Sequence, residues 1–131
     1  MISIEKQLSV FLDNRPGTMA RTCEALAKQQ INLIALSIAD TIDHAIVRMI
    51  VSDVKKAEQV LKQLHGAVQE RDVLVIKLAT DQPGVLAGIT QKLAAAGINL
   101  EYAYCTSPSA AGTGRLVLRT NDIEATISAL S

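Results

Sequence analysis

Asn14-Arg15-Pro16-Gly17, followed by Ile31-Asn32-Leu33, recurs along the chain as Asp81-Gln82-Pro83-Gly84, followed by Ile98-Asn99-Leu100. The offset is 67 for both motifs (Pro16 to Pro83, Ile31 to Ile98), and at that offset Ala20 matches Ala87, Leu26 matches Leu93 and Ala27 matches Ala94. Two separated motifs held in one register mark a duplicated module. Ser52-Asp53-Val54 then matches Asn121-Asp122-Ile123 at an offset of 69, so the second copy carries two more residues. The Gly- and Ser-containing stretch from Ser107 to Gly114 is the expected place for them, because turns absorb insertions at small cost.

Outward from the first motif, Leu8, Val10 and Leu12 alternate along Gln7–Asp13, which predicts a strand. Asn14–Gly17 reads as a turn into a helix that runs to Gln30, with Met19, Cys23, Leu26 and Ala27 at helical spacing. Leu33–Ala39 and Ala45–Val51 read as a hairpin turning at Asp40–Asp43, with Arg48 the sole charge on its second strand. Asp53 is placed to cap a second helix whose Val54, Ala57, Val60, Leu61 and Leu64 face inward, and Val68–Asp72 supplies a closing strand. The second copy repeats the order: strand Val73–Ala79, turn Asp81–Gly84, helix to Ala96, strand Asn99–Cys105, strand Arg115–Arg119, helix Asp122–Leu130.

No closing strand follows in the second copy. Shifting Val68–Asp72 back by 67 gives Met1–Glu5, so these residues are expected to pair at the edge of the second copy and complete it. The fold class is therefore α+β: two βαββαβ modules in tandem, residues 1–72 and 73–131, with antiparallel sheets and helices on one face. The 131 residues suit two small modules that pack against each other or against a second chain.

Composition narrows the function. Thirteen basic residues balance 13 acidic ones, so no basic face for nucleic acid is expected. No run of about 20 apolar residues exists for a membrane span, and Met1–Lys6 does not read as a signal peptide, which leaves the cytoplasm as the expected compartment. Cys23 and Cys105 form no CxxC pair and read as buried free thiols. His44 and His65 are isolated and read as surface residues. No spacing of nucleophile and base, paired acids or metal ligands appears, so neither catalysis nor a cofactor is expected. Phe11, Tyr102 and Tyr104 are the only aromatics, a poor platform for stacking RNA bases.

D-x-P-G at the first strand–helix junction, followed about 15 residues later by G-I-N-I/L in the order β-α-β-β-α-β, resembles the ACT domain. The second copy carries it as Asp81-Gln82-Pro83-Gly84 with Gly97-Ile98-Asn99-Leu100; the first departs by Asn14 for the usual Asp and Gln30 for the usual Gly. The resemblance spans essentially the whole chain. It implies two ferredoxin-like regulatory modules that bind an amino acid in a composite pocket at a module interface.

The residues suit that role. The carboxylate of an amino acid is held by backbone amides at the positive end of a helix, which the turns Asn14–Met19 and Asp81–Leu86 provide. The candidates are Asn14, Arg15, Gly17, Thr18 and Met19 in the first turn, and Asp81, Gln82, Gly84, Val85 and Leu86 in the second. Gly17 and Gly84 permit close approach to the backbone or serve turn geometry alone. Asn14 and Asp81 offer oxygens to an ammonium or cap helices. Asn32 and Asn99 stand before the second strand of each copy, where an adjoining module's turn reaches them, or are turn residues. Arg15 is either a solvated side chain or a partner for the ligand carboxylate. The strands are apolar on both sides, so a homodimer that covers the second face is expected. The alternative to a sensor is a dimerisation or scaffold module associated with a metabolic enzyme.

Overall fold

The computed structural model describes residues 2–78, 83–106 and 114–131. The elements follow in the order β1 (Ile2–Asp13), α1 (Thr18–Lys28), β2 (Leu33–Asp40), β3 (His44–Val51), α2 (Val54–His65), β4 (Val68–Lys77), α3 (Val85–Ala95), β5 (Leu100–Cys105), β6 (Arg115–Thr120) and α4 (Ile123–Leu130). The strands pair antiparallel in the order β2-β3-β1 in one half of the chain and β4-β6-β5 in the other. The chain forms two compact units, Lys6–Arg71 and Asp72–Ser131 with Met1–Glu5.

In the unit Lys6–Arg71, β1 pairs with β3 in the register Leu8↔Met49, Val10↔Val47 and Leu12↔Ala45. Leu8, Val10, Leu12, Val47 and Met49 meet Leu26 of α1 and Ala57 and Leu61 of α2 in one core. Fully burying a leucine such as Leu61 contributes roughly 1.5–3 kcal/mol. Leu64, expected inward, is 45% exposed. It is the penultimate residue of α2.

The unit Asp72–Ser131 with Met1–Glu5 repeats the plan. Leu74 pairs with Leu118 and Ile76 with Leu116. These four form the core, and Ile2, Ile89, Leu100, Ile123 and Ile127 pack on it.

The two copies share their local devices. Leu26 and Leu93 accept from the amides of Ile31 and Ile98 at 3.0 and 2.9 Å. Gln30 and Gly97, with φ of 58° and 70°, make the left-handed step between. This is a Schellman stop with a buried apolar contact, and it explains why the Ile of each Ile-Asn-Leu motif recurs. A register shift then falls at Leu33/Ala35 in one copy and Leu100/Tyr102 in the other. Asp53 and Asp122 cap α2 and α4 by accepting from Lys56 and Ala125 amides at 3.1 and 3.0 Å.

Three expectations are corrected. The strand pairs read separately as Met1–Glu5 with Gln7–Asp13, and as Val68–Asp72 with Val73–Ala79, run on as the single strands β1 (Ile2–Asp13) and β4 (Val68–Lys77), because no turn residue interrupts either, while Met1 and Ala79 lie outside the described residues. The cysteines are free, but Cys23 is half-buried and Cys105 exposed. His65 is not a surface residue: it is half-buried, 3.0 Å from Thr22. No helix among the described residues is long and apolar enough to cross a membrane.

Candidate functional site

The β1–α1 junction is built around Gly17. It is the residue before the first helical turn, with φ 88° and ψ −14°, and no side chain caps the helix behind it. Gly84 repeats this at α3 with φ 93° and ψ −9°, again with no side-chain cap. A side chain at this φ is strained, which gives each glycine a conformational reason to stand there. Neither α1 nor α3 has an acidic residue in its first turn. Their leading amides thus lack the compensation that Asp53 and Asp122 give α2 and α4.

Asn14 does not cap α1. Its amide donates to the Asp43 carbonyl at 3.2 Å, which ties the turn to the β2–β3 hairpin. Arg15 is exposed and pairs with Asp13 at 2.8 Å. Thr18 is buried, and Met19 packs on the core as a half-buried residue. In the second copy Val85 is half-buried and Leu86 is exposed, while Asp81 and Gln82 lie outside the described residues.

Asn32 and Asn99 stand apart from the turns of their own copies. Along β3, Asp13 lies opposite His44 and Leu33 opposite Val51, a separation of roughly 23 Å at the usual strand rise. The Asn32 amide donates to Ser52 Oγ at 2.9 Å, and its carbonyl accepts from the Ser52 amide at 3.0 Å, so its backbone closes the far end of the hairpin. In the second copy Lys77 lies opposite Arg115 and Leu100 opposite Thr120, so Asn99 is likewise at the far end from Gly84.

What the structure does bring together beside the first turn is a pocket of about 280 Å³ lined by Phe11, Asp13, Thr18, Arg21, Thr22, Leu64 and His65. Of these only Thr18 was expected at a site. Thr22 Oγ1 donates to the Thr18 carbonyl at 2.8 Å and lies 3.0 Å from Nε2 of His65. A hydroxyl has one proton, so Nε2 of a neutral His65 is the donor and Nδ1 the free acceptor. Burial pushes the His65 imidazole below its ordinary value of 6.5; the Asp13 carboxylate draws it back up and the Arg21 guanidinium pushes it down. Arg21 Nη2 lies 3.5 Å from Thr18 Oγ1. A signal for these residues was present in the sequence: Thr18, Arg21 and Thr22 form a polar stripe at helical spacing. Among the described residues no three His, Cys, Asp or Glu side chains gather as a metal site.

Comparison with known proteins agrees with this architecture. The family model of the ACT domain pair matches residues 2–130. The small subunit of acetolactate synthase isozyme 3 from Escherichia coli is 32% identical, with 54% of this chain and 53% of that protein aligned. The chain thus spans about half the length of the curated relatives it matches. A Bacteroides thetaiotaomicron protein of known structure is 39% identical, with a TM-score of 0.88, covering 98% of this chain and 88% of that one. The ligand-free regulatory subunit of aspartate kinase from Thermus thermophilus has the same fold at 18% identity, with a TM-score of 0.72, covering 99% and 95%.

Proposed function

The chain belongs to the ACT domain pair family, and on that premise we propose that it is a regulatory protein that binds a free amino acid or related small metabolite and is not an enzyme. The modules proposed are 1–72 and 73–131, with residues 1–5 completing the second. The observation that carries the reading is the contrast between helix starts. Asp53 and Asp122 cap α2 and α4, whereas α1 and α3 begin at bare left-handed glycines with no side-chain acceptor. The Thr18 amide of α1 donates to the Arg15 carbonyl at 3.4 Å; the amides behind it meet no side-chain acceptor, and such amides favour a carboxylate.

In this reading the ligand is held by the turn of Asn14, Arg15, Gly17, Thr18 and Met19, by that of Asp81, Gln82, Gly84, Val85 and Leu86, or by both. Asn32 and Asn99 stand at the far strand ends of their own copies, so they join such a site only when supplied by another module. The partners proposed are a second copy of the chain and a metabolic enzyme as client, by likeness to the acetolactate synthase small subunit over about half its length. An exposed apolar row favours self-association: Ile34, Leu36 and Ile38 of β2 and Ile42 of the hairpin, the last 94% exposed.

The test is a thermal-shift screen of the common amino acids. A ligand at a hundred times its Kd adds about 2.7 kcal/mol to stability. One stabilising amino acid whose effect is lost in Asp81→Ala or Asn99→Ala supports the composite site. If no amino acid shifts the melting point, the sensor reading fails and the scaffold reading takes its place.

A further inference from the structure

The pocket beside α1 has no chemical counterpart in the second copy. At the offset of 67, Thr18, Arg21 and Thr22 become Val85, Gly88 and Ile89, and Ile89 packs on the core of its unit. The fold therefore does not need hydroxyls or a guanidinium on this stripe. Thr22 is nevertheless fully buried where its counterpart is isoleucine. Burying a hydroxyl costs free energy unless it is hydrogen-bonded, and a threonine is a poorer helix former than most. The first copy meets that cost with a chain of polar contacts running from the Thr18 carbonyl through Thr22 to His65.

Gly17 adds a second difference. A Cβ on Gly17 would lie 3.0 Å from Arg21 Nη1, whereas one on Gly84 would meet nothing within 4 Å. In the first copy alone, the guanidinium lies against the bare backbone of the turn.

The lining combines one cation, one anion, one neutral imidazole, two hydroxyls and two apolar walls. Phe11 and Leu64 are 58% and 45% exposed. The volume falls just under the roughly 300–1,000 Å³ of sites for drug-sized ligands, which suits a smaller molecule. Asp13 already accepts from Arg15 through Oδ2 at 2.8 Å, but a carboxylate has about four lone-pair sites and keeps capacity for an ammonium.

We propose that this pocket, wholly within residues 6–71, binds the zwitterion of an α-amino acid with an apolar side chain. The ligand carboxylate is held by Arg21 and the Thr18 hydroxyl, its ammonium by Asp13, and its side chain lies between Phe11 and Leu64, whose exposed surface it removes from water. The proposal rests on the amino-acid reading above for the class of ligand and places the site inside one copy instead of at a module interface.

The experiment is calorimetric titration of the full chain and of Arg21→Gln with each of the common L-amino acids, L-leucine, L-valine and L-methionine first, with the His65 imidazole resonances followed by NMR. The expected result is binding to the unsubstituted chain, at least tenfold weaker in Arg21→Gln, with the unliganded melting point unchanged and the His65 signals displaced by ligand. Binding undiminished in Arg21→Gln, or His65 signals that stay fixed at saturation, overturns the pocket and leaves the amino-acid reading standing. Binding confined to amino acids with charged side chains also overturns it. No binding by any amino acid overturns both.

Discussion

Gln30 and Gly97 hold the same left-handed backbone at the same point of the two copies, with φ of 58° and 70°. Each follows the C-cap residue of a helix, Gln29 or Ala96, and each is succeeded by an isoleucine whose amide returns to a leucine carbonyl. Only one of them is a glycine. A side chain in this conformation costs roughly 1–2 kcal/mol, and the greater freedom of glycine in the unfolded chain takes back roughly 0.4–1 kcal/mol. Gln30→Gly is therefore expected to stabilise by about 0.5–1 kcal/mol, and Gly97→Ala to destabilise by about as much. Chemical denaturation of both variants checks this; a Gln30→Gly chain no more stable than its parent contradicts it.

The helix caps give a contrast within one molecule. Asp53→Ala and Asp122→Ala each remove a side-chain acceptor from a helix start and are expected to cost about 1 kcal/mol. Asn14→Ala removes no cap and is expected to stay within about 0.5 kcal/mol of the parent. Equal losses from all three in urea titrations would show that Asn14 caps α1 after all.

His65 ties stability to pH. Its folded value lies below 6.5, chiefly through burial, with Asp13 and Arg21 the charges that act on it. Between the folded value and the ordinary one, the unfolded chain binds more protons than the folded chain, so stability rises with pH across that window. The contribution is complete above about 6.5 and is lost as pH falls through the folded value. The melting temperature is expected to fall between pH 7.5 and pH 5.5, and to fall less in His65→Gln. Identical pH slopes for the two chains would remove His65 from the account.

Ile2 packs on the core formed by Leu74, Ile76, Leu116 and Leu118. The chain without residues 1–5 is expected to melt several degrees lower, with the loss carried by the unit that contains 72–131. Hydrogen exchange at Leu116 and Leu118 locates it. An unchanged melting point, or exchange accelerated only within residues 6–71, would show that the segment is dispensable there.

The fold was legible because its devices are local and duplicated. Pro-Gly, Ile-Asn-Leu and the capping Asp each act within a few residues, so a repeat of sequence is a repeat of geometry. The continuity of β1 and β4 was not legible, because alternation says where a strand exists and not where a module within it ends. The turns were legible as helix starts, and Asn32 as a residue before the second strand; contact with an adjoining module's turn depends on assembly, which a position along one chain does not encode. The pocket was missed for a different reason. His65 lies 43 residues from Thr22, and nothing in either stretch names the other. The polar stripe on α1 is marked in the sequence by positions where the two copies differ, Thr18, Arg21 and Thr22 against Val85, Gly88 and Ile89, and not by those they share.

Residues 2–5 are made before residues 6–71, yet the strands they join in a compact unit, β4 and β6, are made after them. The intervening residues 6–71 close most of their contacts among themselves. Synthesis therefore favours a fixed order of assembly, in which the earlier unit is finished while the opening segment of β1 waits for a partner. The second unit carries the long-range pairing, which slows folding, and it should be the later and slower phase in refolding kinetics.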